Sequence, residues 1–277
     1  MKPRICVLIP CYRNQAGLIR TCESLAHARG EFDVLIIDDG SPTPLQVADG
    51  AAGRHSVAVH RCPFNLGITG ALNRGLELVL DAGYPLVARL DSGDTVRPDR
   101  FDLQTALLDA QQSLSMVGSY IDFCDMEGKP LFRFKAPLSN AGIARRMHIE
   151  NCLVHSGVMM RTDAVQRAGG YRSACATSED YDLFLRMMRD GEAAIVPEAL
   201  TICEHNQQGI SVARRHQQQW ERLSLQVRNF APDEITSYYG VVRTCTAMLI
   251  PQRAVVAAKR FVFGPGTFER PLAESLR

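Results

Sequence analysis

Leu86-Val87-Ala88-Arg89-Leu90-Asp91-Ser92-Gly93-Asp94 decides the fold. The apolar run from Leu86 reads as a buried strand, and it stops at two carboxylates three positions apart around a glycine. Thr95-Val96-Arg97-Pro98 follows, with Pro98 suited to the first turn of a helix over Asp99 to Gln111. The order strand, acidic loop, helix puts Asp91 and Asp94 at the carboxyl end of a strand. In open α/β sheets this is the edge where ligands bind. Carboxylates there can take a hard divalent cation and, through it, a phosphorylated ligand. Taken alone, Asp-Ser-Gly-Asp is equally a turn with an N-capping group.

The flanking sequence supports an alternation of strands and helices. Arg4 to Ile9 is an apolar strand ended by Pro10, and Ala16 to Ala28 fits a helix. Phe32 to Ile37 is a second strand, closed by Asp38-Asp39-Gly40-Ser41-Pro42, and Ser56 to Arg61 is a third. Gly67 to Ala82 is a helix, with Leu72, Leu76, Val79 and Leu80 at spacings of three and four. Four strands alternating with helices in about ninety residues predict βαβ units and a largely parallel sheet covered on both faces. Further on, Leu114 to Tyr120 is apolar, and a hairpin is expected from Ile121–Cys124 and Pro130–Phe134. Helices are expected over Ser139–Met147 and Tyr181–Arg189, the latter with Ser178 as N-cap. Strands are expected at Ser156–Met160, Ile195–Val196 and Leu200–Cys203. Gln217 to Phe263 reads as mostly helical, with breaks near Pro232 and Pro251.

Composition narrows the function classes. Of 277 residues, 46% are hydrophobic and 22% charged, and the net charge of +1 gives no global signal for nucleic acid. Residues 212–277 carry ten Lys/Arg against five Asp/Glu, so the basic part is the C-terminal one. Nine scattered cysteines with no C-x-x-C pair read as buried free thiols in a reducing compartment. With no signal-peptide pattern and no 18-residue apolar run, a cytoplasmic protein is expected. Arg253 to Phe263 alternates apolar residues with cations, as an interfacial helix on anionic lipid does, and equally as a packed helix does. No G-x-G-x-x-G follows the first strand and no Walker A sequence occurs, which argues against dinucleotide and P-loop readings.

Several loops fall on one edge of such a sheet. They are Pro10-Cys11-Tyr12-Arg13-Asn14, Asp38-Asp39-Gly40-Ser41, Asn65-Leu66-Gly67 with Asn73-Arg74-Gly75, and the acidic loop. His155-Ser156-Gly157-Val158-Met159-Met160-Arg161, Gly169-Gly170-Tyr171, Ser178-Glu179-Asp180-Tyr181-Asp182 and His205 with Gly209-Ile210-Ser211 continue the series. In this order the set resembles the inverting family 2 glycosyltransferases of GT-A fold over about the first three quarters of the chain. The resemblance implies a Rossmann-like, mostly parallel central sheet flanked by helices. It implies a GT-A domain over 1–211, divided near 118 into nucleotide-binding and acceptor halves, with a basic helical extension over 212–277.

What the resemblance implies for chemistry is specific. A sugar would move from a UDP- or dTDP-type nucleotide-sugar donor to an acceptor hydroxyl, with inversion, in cell-surface polysaccharide or glycolipid assembly. The acceptor would be a saccharide or lipid-linked saccharide. Asp180 would be the general base, with Glu179 beside it and Asp182 pointing elsewhere. The nucleotide would contact Pro10, Tyr12, Arg13, Asp39, Asn65, Gly67, Asp91 and Ser92, and Asp38 would be structural. Asp91, Asp94 and His205 would hold Mg²⁺ or Mn²⁺. One departure bears on that metal: the family pattern is Asp-x-Asp, and this chain has Gly93 where the main metal-contacting aspartate falls. Asp94 taking over, weaker binding through Asp91, His205 and the donor diphosphate, or a dispensable metal are the alternatives. A catalytically silent nucleotide-sugar-binding protein and a nucleotidyltransferase are the rival functions. Retention of Asp180 argues against the first, and the lack of a glycine-rich triphosphate loop against the second.

Overall fold

The computed structural model describes residues 3–204 and 214–249. The strands are β1 (Ile5–Cys11), β2 (Phe32–Asp38), β3 (Val57–Arg61), β4 (Leu86–Arg89), β5 (Thr95–Val96), β6 (Leu114–Cys124), β7 (Pro130–Phe134), β8 (Met159–Arg161) and β9 (Glu192–Glu204). The helices are α1 (Gln15–Ala26), α2 (Gly67–Asp81), α3 (Arg100–Ala110), α4 (Asn140–Met147), α5 (Thr162–Arg167), α6 (Glu179–Met187), α7 (Arg215–Arg228) and α8 (Ile235–Leu249). One sheet runs β3-β2-β1-β4-β8-β6-β9-β5, with β7 paired to β6. The pairs β2/β3, β1/β2, β1/β4 and β6/β9 are parallel, while β8, β5 and β7 run against their neighbours. The order reverses at β1/β4, the kind of switch point that opens a crevice at the carboxyl ends of strands.

β1 is buried along its whole length, and its alternation splits the core in two. Cys6 and Leu8 join Leu72, Leu76, Val87, Met116, Met160 and Phe184 on one face of the sheet. Ile5, Val7 and Ile9 join Leu18, Leu25, Ile36, Ala88, Phe101 and Leu108 on the other. α2 lies close on the first face because residue 75 is glycine: a Cβ there would stand 2.3 Å from Leu8 Cδ1 and 3.2 Å from Ile37 Cγ1. α8 approaches the end of α4 by the same device, since a Cβ on Gly240 would meet His148 O at 2.1 Å.

The second half departs from expectation. β6 is one eleven-residue strand, where a break was expected at Tyr120, and β9 is one thirteen-residue strand, where two short ones were expected. The two run side by side, with register shifts that absorb Pro197 and Glu198 between the pairs Val196/Ser119 and Ala199/Tyr120. A bulge is where a sheet tolerates proline, and it lets the strand continue. Thr95–Val96, expected as loop, pairs with Ile202 and Thr201 of β9. Ser156 belongs to a 3-10 turn (His155–Gly157), and the strand expected from it begins at Met159. The break near Pro232 separates α7 from α8; Pro251 and Arg253–Phe263 lie outside the described residues. Eight of the nine cysteines are buried and all are free. No helix among the described residues is long and apolar enough to cross a membrane.

Replacing Gly75 by valine should overpack the α2–sheet contact. A loss of about 1–3 kcal/mol in urea unfolding is expected, with native-like far-ultraviolet dichroism.

Candidate active site

The loops at the carboxyl ends of β1, β2 and β4 meet on one edge, with Cys11 opposite Asp38 and Leu8 opposite Arg89. Asn14 ties them together. Its Oδ1 caps α1 by accepting from Gly17 N (3.1 Å), while its Nδ2 donates to Ser92 O (2.8 Å). Arg13 sits at φ +56 and its N–H donates to Ser41 Oγ (3.0 Å). Its guanidinium lies 5.9 Å from the ring centre of Tyr12, which is 43% exposed and so open to a stacking partner.

Asp38 and Asp39 divide as expected. Asp38 is buried and accepts from Ser41 N (2.9 Å), Leu45 N (3.3 Å) and Arg61 Nη1 (2.8 Å). Burial would raise its carboxyl, but these hydrogen bonds and the Arg61 charge outweigh it and hold the group below its ordinary value. Asp39 accepts from Leu66 N on Oδ1 (2.7 Å) and also from Gly67 N, and burial raises its carboxyl against both bonds. Asn65 closes this corner, donating to Asp39 O (3.2 Å) and accepting from Gly67 N (3.2 Å), with Gly67 at φ +73 opening α2. A recess of about 1300 Å³ adjoins it between α1 and residues 41–51, lined by Arg13, Ile19, Ser41 and Leu45 among others. None of the carboxylates of the acidic loop or of α6 lines it.

Those carboxylates form the second cluster, around Arg89. This guanidinium is fully buried. It donates to Asp91 Oδ1 (2.6 Å), His155 Nε2 (3.1 Å), Leu90 O (3.2 Å) and Leu8 O. The Tyr171 hydroxyl shares His155 Nε2 at 2.7 Å. Burial and the Arg89 charge push the His155 ring well below its usual range, so it is neutral; since Nε2 accepts from Arg89, its proton sits on Nδ1. Tyr171 is itself clamped to α2, its N–H and C=O both bonded to the Asn73 side chain (2.9 and 2.8 Å).

Asp91 and Asp94 face different ways. Asp91 has a side chain 46% exposed, and among the described residues only its Oδ1 is engaged. Asp94 is buried beneath the loop, accepting from Glu204 N (3.0 Å), Ser156 and the Cys203 thiol. Burial and the nearby Asp91 push its carboxyl up to about 6. Expected beside Asp91 as a cation ligand, Asp94 instead spends its oxygens fastening the loop to β9. His205, the third expected ligand, lies outside the described residues. No three His, Cys, Asp or Glu side chains among the described residues are grouped to hold a metal by themselves.

Gly93 has φ +111, a conformation that L side chains rarely adopt. A Cβ there would stand 2.8 Å from Glu204 Oε2, so the Glu204 carboxylate occupies the start of the space that a side chain at 93 would use. Glu204 Oε1 is paired with Arg20 Nη2 at 2.5 Å.

α6 carries Glu179 and Asp180 at its N-terminus, with Ser178 at the cap position but making no side-chain cap bond. Asp180 is half-buried. It accepts from Asn151 Nδ2 (2.9 Å) and Tyr181 N (2.7 Å). Burial and the Asp91 charge push it up to about 6, against the Tyr181 hydrogen bond. Glu179 is raised further, to about 8, by burial and by Asp180. Asp182 does point elsewhere, buried and bonded to Arg186 (2.7 and 2.9 Å). Asp91, Asp94, Glu179 and Asp180 thus share one field, drawn from β4 and α6 ninety residues apart. Asn14, Arg89, Asn151, Ser156, Tyr171 and Glu204 were not singled out from sequence. Asn14, Arg89, Ser156 and Tyr171 lie within quoted motifs but were given no role there, and Asn151 and Glu204 carried no local signal.

The Glycosyl transferase family 2 model matches residues 6–169. The chain belongs to glycosyltransferase family 2. The amylovoran biosynthesis glycosyltransferase AmsE of Erwinia amylovora is 30% identical over 254 residues, 88% of this chain and 93% of that protein. The succinoglycan biosynthesis protein ExoW of Rhizobium meliloti is 35% identical over 138 residues, 47% of this chain and 40% of that protein. The fold is that of solved GT-A structures. Staphylococcus aureus TarS in complex with UDP-GlcNAc superposes with TM-score 0.65 at 18% identity, over 95% of this chain and 73% of that one. The mannosyltransferase PcManGT of Pyrobaculum calidifontis, in complex with GDP-Man and Mn²⁺, gives 0.60 at 14%, over 95% and 81%.

Arg89→Met should remove the partner of Asp91, a donor to His155 Nε2 and one of the two donors to Leu8 O, which keeps only the longer bond from Leu90 N (3.3 Å). A stability loss of about 3 kcal/mol by chemical denaturation is expected.

Proposed function

We propose that this glycosyltransferase moves a sugar from a UDP- or dTDP-type donor to an acceptor hydroxyl with inversion. The observation that carries the reading is the ordering of the two α6 carboxylates beside Asp91. Asp180 is the more acidic of the pair and is ionised at neutral pH, while Glu179 holds its proton. Groups pushed apart in this way take different roles. Asp180 accepts the acceptor's hydroxyl proton as the oxygen attacks the anomeric carbon, and the bond to the diphosphate breaks on the opposite face. Protonated Glu179 donates a hydrogen bond to a sugar oxygen. Asn151 and Tyr181 N orient the base and leave it a lone pair for the proton.

On the donor side, Tyr12 stacks on the base, and Asp39, held in place by Leu66 N, accepts from its N–H. Pro10, Arg13, Asn65 and Gly67 shape that corner, and Asp91 and Ser92 close it toward the sugar. Asp91, with one oxygen unengaged among the described residues, fits a divalent cation that shares the donor diphosphate. Such a cation would offset the charge gathering on the departing phosphate. Residues 1–118 would make the donor half and 119–211 the acceptor half.

The AmsE and ExoW likenesses support a place in polysaccharide assembly. Lipid-linked acceptors would bring the enzyme to the inner face of a membrane. Ile235, Tyr239, Val242 and Leu249, all exposed along one side of α8, support such docking just before the basic C-terminal segment. Sedimentation with anionic vesicles at low salt should carry the protein down, and indifference to them defeats the docking.

Two measurements test the chemistry. Asp180→Asn should keep donor affinity and lose transfer by at least about a hundredfold, because the amide keeps the shape and not the basicity. In the unaltered enzyme, kcat/KM should be flat near neutrality. It should fall tenfold per pH unit as the pH drops through about 6, where Asp180 takes up its proton. Near-normal turnover by Asp180→Asn places the base elsewhere. A screen of UDP-, dTDP- and GDP-sugars by thermal shift identifies the donor.

A further inference from the structure

Gly93 and Glu204 share one volume. The Glu204 Oε2 atom lies 2.8 Å from the point where a Cβ on residue 93 would sit, its Cδ 3.5 Å away. That is about as far as a short acidic side chain on residue 93 would itself reach. The loop cannot move aside to make room. Gly93 N–H donates to Thr21 Oγ1 (2.9 Å), Asn14 Nδ2 holds Ser92 O (2.8 Å), and Asp94 Oδ1 accepts from Glu204 N (3.0 Å). The last of these bonds fixes the end of β9 against the loop, so the backbone that carries Glu204 is held as firmly as the loop itself.

We propose that Glu204, delivered by β9, takes the place at the donor's divalent cation that an acidic side chain at position 93 would hold. The inference rests on the nucleotide-sugar reading and deepens it. A hard cation needs several oxygen ligands, and Asp91 supplies one engaged and one unengaged carboxylate oxygen. Asp94 is spent inward. Glu204 has Oε1 on Arg20, and its Oε2, 2.8 Å from where a Cβ on residue 93 would sit, would supply the second protein carboxylate. The diphosphate then completes the shell, so cation and nucleotide each tighten the other by the same factor. Glycine at 93, with φ +111, is the counterpart of glutamate at 204: it leaves the space that the carboxylate fills. Were Glu204 only the partner of Arg20, an ion pair with 43% of the arginine side chain exposed, neither its cation affinity nor the identity of residue 93 would matter.

Mn²⁺ binding, read from loss of the free-ion paramagnetic resonance signal with and without UDP, tests this without a turnover assay. Calorimetry of UDP in EDTA checks that each variant keeps its nucleotide site. Glu204→Gln should weaken Mn²⁺ binding in the presence of UDP by at least about tenfold, and leave UDP affinity in EDTA within about twofold. Arg20→Gln should act in the opposite direction, strengthening Mn²⁺ binding, because it takes a competing cation off the same carboxylate. Unchanged Mn²⁺ affinity in Glu204→Gln, or weakening by Arg20→Gln, overturns the assignment while leaving nucleotide-sugar use intact. Failure of the unaltered protein to bind UDP, dTDP or GDP in any condition overturns both.

Discussion

A single buried guanidinium holds the two halves of this molecule in register. Arg89 is fully excluded from solvent at the end of β4, the strand where the parallel half of the sheet meets antiparallel β8. A charge so placed is tolerable only when hydrogen bonds surround it. Its partners come from four places: Leu8 O on β1, Leu90 O just past the end of β4, Asp91 in the acidic loop and His155 in the turn before β8. Through His155 the network reaches Tyr171, and through Tyr171 it reaches Asn73 on α2. Arg100, equally buried, supports it from below by donating to Arg89 O (2.8 Å). Displacing Arg89 would disturb the floor of the site and the contact between α2 and the segment before α6 together.

The same charge organises the electrostatics. Burial makes Asp94, Glu179 and Asp180 resist ionisation, and neighbouring carboxylates add to it, Asp91 at all three and Asp180 at Glu179, which is why all three lie above their ordinary values. Arg89 opposes that shift at Glu179 and Asp180 and pairs directly with Asp91. The result is a graded set, with Glu179 pushed up further than Asp180 beside it. The grading depends on burial and distance, not on the identities of the residues alone.

The first ninety residues were legible because their elements are local. β1, β2 and β4 are short apolar runs and α2 has an apolar face at helical spacing; the exception is Pro10, expected to end β1, which instead lies within it as the strand runs on to Cys11. The second half was less so. β6 and β9 are long because they pair with each other, and their amphipathic stretches, interrupted by Pro197, look like several short strands until the bulge is seen. β5 is two residues whose pairing partner lies about a hundred residues away. The six-residue α5 gave too short a pattern to read.

By itself the sequence determined the family, the parallel half of the sheet and which loops share an edge, because chain order and strand polarity suffice for those. It also placed Glu179 and Asp180 at a helix start and separated Asp182 from them. Only the tertiary structure decided how each carboxylate is used. Asp94 and Asp91 are three residues apart and look alike in sequence, yet one turns into the core against β9 and the other toward the cleft. Glu204 is more than a hundred residues from Gly93 and stands in its space. Side-chain direction at a loop is set by what packs behind it, and here that is a distant strand, Arg89 and the His155 turn, none of them adjacent in the chain.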